Sequence, residues 1–159
     1  MNRIGMLRRM RELSWAKEEW FVPLAKALEG LSAADAAWKP PGGGNSIWET
    51  LNHINFYNEM MLCHMTGQRF TRSVENNTES FAVESTDPAA WAHTLAETHR
   101  IGEGLQRALE AMGDEELDRS IRSGTVGESL LSWMAHDAYH TGQIVLIRKQ
   151  QGSWPATRE

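Results

Sequence analysis

Apolar residues recur at spacings of three and four, the period of a helix with one buried stripe, in four separate stretches of the chain. The first runs from about Ile4 to Glu29 through Leu7, Met10, Leu13, Trp20, Leu24 and Leu28, and stops at Gly30. Pro23 removes a backbone donor inside it, which predicts a kink near Glu19 to Val22 or a split into two pieces. The second opens after Pro40-Pro41-Gly42-Gly43-Gly44-Asn45, where Ser46-Ile47-Trp48-Glu49 has the Ser-x-x-Glu form of a capping box, and it ends near Gly67. The third opens with Asp87-Pro88, a capping acceptor followed by a proline at the first helical position, and carries Trp91, Leu95, Gly102, Leu105 and Leu109 to Gly113. The fourth opens with a second capping box, Thr125-Val126-Gly127-Glu128, and runs through Ile147 to about Gln151, with Gly152 closing it. No alternation of period two favours strands.

Four helices of this length predict an all-α chain, a four-helix bundle forming a single domain over residues 1–159. Roughly 20 residues separate Gly67 from Asp87, too many for a simple antiparallel turn, so one long crossover connection is expected between helices two and three. Phe70, Val74, Phe81 and Val83 are the residues that would pin it down.

Composition narrows the function classes. The chain has 159 residues, 16 Lys+Arg against 21 Asp+Glu, a net charge of −5 and one cysteine, Cys63. A single thiol forms no intramolecular disulfide and no Cys-rich zinc module, which fits a reducing, cytoplasmic setting. No apolar run has the length of a signal peptide or a membrane span, and the acidic balance speaks against general nucleic-acid binding. The early arginines Arg3, Arg8, Arg9 and Arg11 read as a solvated helix face because Glu12, Glu18 and Glu19 follow at once. The run Pro40 to Gly44 is a linker rather than a phosphate loop, since no Gly-Lys-Ser/Thr follows it. Arg148-Lys149 supplies positive charge at the C-terminal end of helix four. Seven tryptophans and eight methionines suggest a core or cleft with aromatic walls, for which Trp48, Trp133 and Tyr57 are the candidates.

The chemistry concentrates in helix four, where Ser132-Trp133-Met134-Ala135-His136-Asp137-Ala138-Tyr139-His140-Thr141-Gly142-Gln143 contains a His-x-x-x-His pair. Positions four apart lie about 40° apart around a helix and one turn apart in height, so both imidazoles can face one ion. The glutamate of the His-Glu-x-x-His protease signature is absent. His53, beside the stripe of Ile47, Leu51, Ile54, Tyr57 and Met61 in helix two, is the candidate third ligand; its alternative is a hydrogen-bonded core histidine. Three neutral imidazoles leave open coordination positions, the arrangement of a catalytic rather than a closed structural metal site. His64 lies about 16 Å further along helix two. His93 and His99 fall on different faces of helix three, and Cys63 is poorly placed either as ligand or as nucleophile.

The Gly-rich turn into Ser46-Ile47-Trp48-Glu49-Thr50-Leu51-Asn52-His53-Ile54, followed by His136-Asp137-Ala138-Tyr139-His140-Thr141-Gly142-Gln143-Ile144, closely resembles the DinB-like (YfiT-like) superfamily over nearly the whole chain. The resemblance implies a four-helix bundle in which His53, His136 and His140 bind a divalent metal, nickel or zinc. Where many members have histidine directly before the last ligand, this chain has Tyr139. Some members transfer low-molecular-weight thiols to electrophiles and others are described as metal-dependent hydrolases, so the resemblance implies a small-molecule substrate without naming it.

Either reaction would use the ion to lower the pKa of a thiol or water. No general base is assigned: Asp137 points about 100° away from His136, which suits a surface or inter-helix pair. Gln143 could orient a ligand from the face of His140, and Glu49 could reach His53 if its capping role leaves it free. Leu131, Met134, Ala138, Gly142 and Val145 give helix four a second apolar side, and Gly142 there suggests close helix approach, within the bundle or across a homodimer interface. The competing expectations are a non-catalytic, metal-stabilised stress-related scaffold and a bundle whose histidines are core polar groups.

Overall fold

In a computed structural model the chain is described over residues 1–121 and 124–155. It is mainly helical: α1 (Arg3–Trp15), α2 (Leu24–Leu28), α3 (Ala33–Ala37), α4 (Ile47–Thr66), α5 (Pro88–Ala111) and α6 (Val126–Gln150). Short 3-10 turns cover Asn77–Phe81 and Asp114–Asp118. A two-residue antiparallel ladder pairs β1 (Ser120–Ile121) with β2 (Gly124–Thr125), too short to leave a period-two signal. No helix among the described residues is long and apolar enough to cross a membrane.

The caps read from the sequence set the starts of the long helices. Ser46 and Glu49 exchange hydrogen bonds with each other's backbone N–H, Thr125 and Glu128 do the same, and Asp87 accepts from Ala90 N ahead of Pro88. Each satisfies donors that the first helical turn leaves unpaired. Gly67 closes α4 in the left-handed conformation at φ 70°.

The first stretch is split, and more deeply than a kink. α1 stops at Trp15, Pro23 caps the separate α2, and Trp20, expected in the apolar stripe, is 97% exposed between them. Pro23 has no N–H to continue a helix, so the chain turns before it and places Leu24 and Leu28 in the core.

Side-chain contacts give the directions of the long helices. Trp48 donates from Nε1 to Thr94 Oγ1 and Asn55 donates from Nδ2 to Thr98 Oγ1, so α4 and α5 run the same way. His53 meets His136 and Asn58 meets Trp133, so α6 runs against α4. Arg8 reaches the carbonyls of Leu109 and Met112 while Arg11 reaches that of Gly102, so α1 runs against α5.

Two apolar clusters fill the interior. One gathers Leu24, Leu28, Ile47, Trp48, Leu51, Ile54, Trp91, Ile144 and Ile147; the other gathers Ile4, Ile101, Leu105, Leu109, Leu130, Trp133 and Met134. Between them lies a buried polar layer of Arg11, Asn55, Asn58, Thr98, Asp137 and Thr141. Buried indoles are satisfied: Trp91 donates to Leu31 O at 2.9 Å and Trp133 to Asn58 Oδ1 at 2.6 Å.

Two of the basic residues are not where charge alone places them. Arg11, expected on a solvated face, is fully buried, its guanidinium between the rings of Trp15 and Trp133. Arg148, expected only as a dipole charge, is also buried and bonds Ala27 O and Ser153 O, joining α2 to the end of α6.

Gly102 marks a close approach of α5 to α1. A Cβ there would lie 2.4 Å from Trp15 Cζ2. Gly102→Ala is therefore expected to lower the melting temperature, overpacking of about 1–3 kcal/mol outweighing the roughly 1 kcal/mol helix preference for alanine. Gly142→Ala, where nothing described in the same chain lies within 4 Å of the added Cβ, so that no close approach inside the bundle requires the glycine, is the reference and should melt above Gly102→Ala. Circular-dichroism melts that rank Gly102→Ala with Gly142→Ala would show the Trp15 ring yielding freely.

Candidate metal centre

His53 sits midway along α4, and His136 and His140 project from α6 one turn apart, so the antiparallel contact of the two helices brings all three rings together. Their ligand atoms lie within 4.8 Å of one another, and ring centroids are 4.4–5.0 Å apart. His53 and His140 are buried, while His136 keeps 30% of its side chain exposed and opens the site to solvent.

Hydrogen bonds set two of the three tautomers. Ser80 donates its hydroxyl to Asn77 O at 2.6 Å, so at 2.7 Å from His53 Nδ1 it acts as acceptor and holds the ring proton there. The lone pair of His53 Nε2 then faces His136 Nε2 at 3.0 Å. Gln143 donates from Nε2 to Tyr139 Oη at 3.1 Å, which turns its amide oxygen toward His140 Nδ1 at 2.6 Å. His140 Nε2 is left free as well.

The donor set fits a divalent ion. Two imidazole nitrogens bonded at about 2.0–2.1 Å to one ion stand about 3 Å apart at a right angle and about 3.3 Å apart at the tetrahedral angle. The 3.0 Å between His53 and His136 falls at that spacing. Two of the rings, His53 and His140, are also held toward the neutral, metal-binding form. Burial, followed by the neighbouring His140 and His136, pushes His53 down from 6.5 to about 4. Burial lowers His140 too, with His136 adding to it and the Gln143 bond working against it.

This gives a pH dependence. Unfolding returns His53 to its ordinary value of 6.5, so between there and about 4 the unfolded chain binds more protons than the folded one. In protein stripped of divalent metal, stability should be flat above pH 6.5 and fall as the pH drops from there toward 4. Urea unfolding at pH 7 and pH 5 measures this, and His53→Gln should reduce the difference, with His140 supplying the remainder; an unchanged slope in that variant would assign it to other groups.

The wall around the histidines differs from the tryptophan-lined cleft expected. Tyr57 is in place, 4.9 Å from His53 and 5.4 Å from His136 between ring centroids. Trp48 instead packs on Trp91, and Trp133 lies beneath Arg11 in the polar layer. Phe81 stacks on His53 at 4.0 Å, and Tyr139 packs against His140. Glu49 keeps to its cap and to Lys39. Gln143 bonds the His140 ring from the face expected for it, and Asp137 forms a buried inter-helix pair with Arg11 at 3.3 Å. His64, His93 and His99 are exposed and do not join the group, nor does Cys63. Ser80, Arg11 and Asn58 were not foreseen. Ser80 stands in a segment without periodicity, whereas Arg11 falls seven residues after Ile4 on the same buried stripe.

A family model described as the DinB superfamily matches residues 23–144, about three quarters of the chain, and that span contains His53, His136 and His140. Nothing among curated proteins matches, and nothing among solved structures. The chain belongs to the DinB superfamily.

Proposed function

We propose that this chain is a divalent-metal-dependent enzyme that activates a thiol or a water at His53, His136 and His140, of the thiol S-transferase or hydrolase type, with nickel or zinc as the metal. One observation carries the reading: three imidazoles converge on one point, and two of them already have their far nitrogens anchored by Ser80 and Gln143. An ion with three histidine ligands and an open position lowers the pKa of a bound thiol or water toward neutrality, which supplies a nucleophile at physiological pH.

The chain's own residues supply the rest. Ser80 and Gln143 hold ligand rings in the correct tautomer, and Phe81 and Tyr57 cover His53 with apolar surface. The exposed edge of His136 is the approach for a small polar substrate such as a low-molecular-weight thiol. We read the fold as a single four-helix-bundle domain with the 67–87 connection as its crossover, supported by the same-direction pairing of α4 and α5. The single thiol supports a cytoplasmic setting.

A second reading, a metal-stabilised scaffold without turnover, is favoured by the way the centre ties α4, α6 and the 67–87 connection together. Nickel- and zinc-loaded protein assayed for thiol transfer to alkylating electrophiles and for ester and amide hydrolysis, with His53→Ala as control, separates the two. Turnover that His53→Ala abolishes supports the enzyme. Metal-dependent melting with no turnover in either assay supports the scaffold and sinks the enzyme.

We further propose a homodimer through α6, where Leu131 (58% exposed), Tyr139 and Leu146 form an outward stripe around Gly142. Met134, expected on that side, is buried within the monomer. Light scattering should give twice the chain mass for the parent and the monomer mass for Leu131→Glu/Leu146→Glu; a monomeric parent would end the proposal.

A further inference from the structure

We infer that Asp137 positions His136 as a ligand, by accepting its Nδ1–H through a carboxylate oxygen that has no other partner. The inference rests on the three-histidine metal centre proposed above. An imidazole that ligates through Nε2 carries its proton on Nδ1, and that N–H needs an acceptor to fix the ring. His53 has Ser80 Oγ and His140 has Gln143 Oε1. Among the described residues His136 has no such bond; its Nδ1 lies 3.9 Å from Asp137 Oδ1, beyond hydrogen-bond reach.

The other side of that gap is also incomplete. Asp137 is fully buried, and its Oδ2 accepts from Arg11 at 3.3 Å and from Asn58 Nδ2 at 3.1 Å. Its Oδ1, equally buried, has no hydrogen-bond partner among the described residues. A buried acceptor left unpaired is costly, so the carboxylate gains from any donor that reaches it. Among the described residues two donors beside it lack partners: Arg11 Nε, whose guanidinium already bonds Oδ2, and His136 Nδ1 at 3.9 Å, which a shift of about 1 Å would bring to the usual hydrogen-bond length of about 2.9 Å.

The carboxylate is aimed before the ring arrives. Arg11 and Asn58 fix Oδ2; Arg11 is itself held by Gly102 O and by the faces of Trp15 and Trp133, and Asn58 by the indole N–H of Trp133. Asp137 is thus a positioning residue, and the chain of contacts carries its support from α1 to a ligand on α6.

The test uses the full chain with ¹⁵N-labelled histidines and zinc added. All three rings should ligate through Nε2, and the His136 Nδ1–H should be visible and slow to exchange with solvent. Asp137→Asn, near in volume, should weaken zinc binding by about 10–100-fold in a chelator competition. In a His136→Ala background the same change should leave zinc affinity unaltered, which a purely structural role for Asp137 would not do. Where Asp137→Asn does not fold, the labelled unaltered chain decides alone. A His136 Nδ1–H that exchanges like free imidazole, or an equal loss of affinity in both backgrounds, overturns the inference while leaving the metal centre standing. Unaltered protein that binds no zinc fails the metal centre itself, and the inference with it.

Discussion

Untagged His136→Ala/His140→Ala protein is expected to carry almost no nickel or zinc where the parent carries near one equivalent, by elemental mass spectrometry of identical preparations. The two rings supply two of the three converging Nε2 donors, and His53 alone cannot hold an ion against water. The loss should exceed the about 10–100-fold that follows when only an outer partner of a ligand is removed. Stability follows by mass action: metal at 1,000 times its dissociation constant adds about 4 kcal/mol, on the order of 10 °C in melting temperature for a chain of this length. The metal-induced shift, rather than the absolute melting temperature, is the proper comparison, because removing a buried imidazole also leaves a cavity. Equal metal content in parent and variant would place the ion elsewhere.

Arg11→Met should cost about 3–5 kcal/mol, because it leaves the fully buried Asp137 without its counter-charge. Burial lowers the Arg11 guanidinium to about 10 with Asp137 opposing the shift, so the guanidinium stays charged at neutral pH. Removing the charge at both ends, in Arg11→Met/Asp137→Asn, should recover part of the loss. Urea unfolding of the three proteins at pH 7 checks this; Arg11→Met as stable as the parent would mean that water or a rearranged neighbour replaces the guanidinium.

Much of this was legible in the sequence where local rules decide. Ser46, Asp87 and Thr125 announce three helix starts because a cap acts within three residues of itself. The spacing of His136 and His140 places both rings on one face for the same reason. What depends on packing between distant segments was not legible. Nothing near Arg11 separates it from its charged neighbours except its register with Ile4, and its burial follows from Asp137, 126 residues away. The rings of Trp48 and Trp133 suit the walls of a cleft, yet their indole N–H groups are drawn to Thr94 and Asn58. Ser80 holds His53 from a turn defined only by Asn76, Asn77 and Glu79, a pattern that marks a bend but not its destination.

That placement of Ser80 and Phe81 bears on time as well as equilibrium. The 67–87 connection has one short 3-10 turn of regular structure, yet it is fastened to His53, which in turn touches a residue 83 positions further along the chain. Contacts between such distant segments close late in folding, since their loop entropy is met before they give anything back. Interactions that form after the rate-limiting barrier act on escape from the native basin and leave the approach to it unchanged. An ion joining His53 to α6 would therefore lengthen the lifetime of the folded chain, making metal supply a setting of how long each molecule survives proteolysis rather than of how readily it folds.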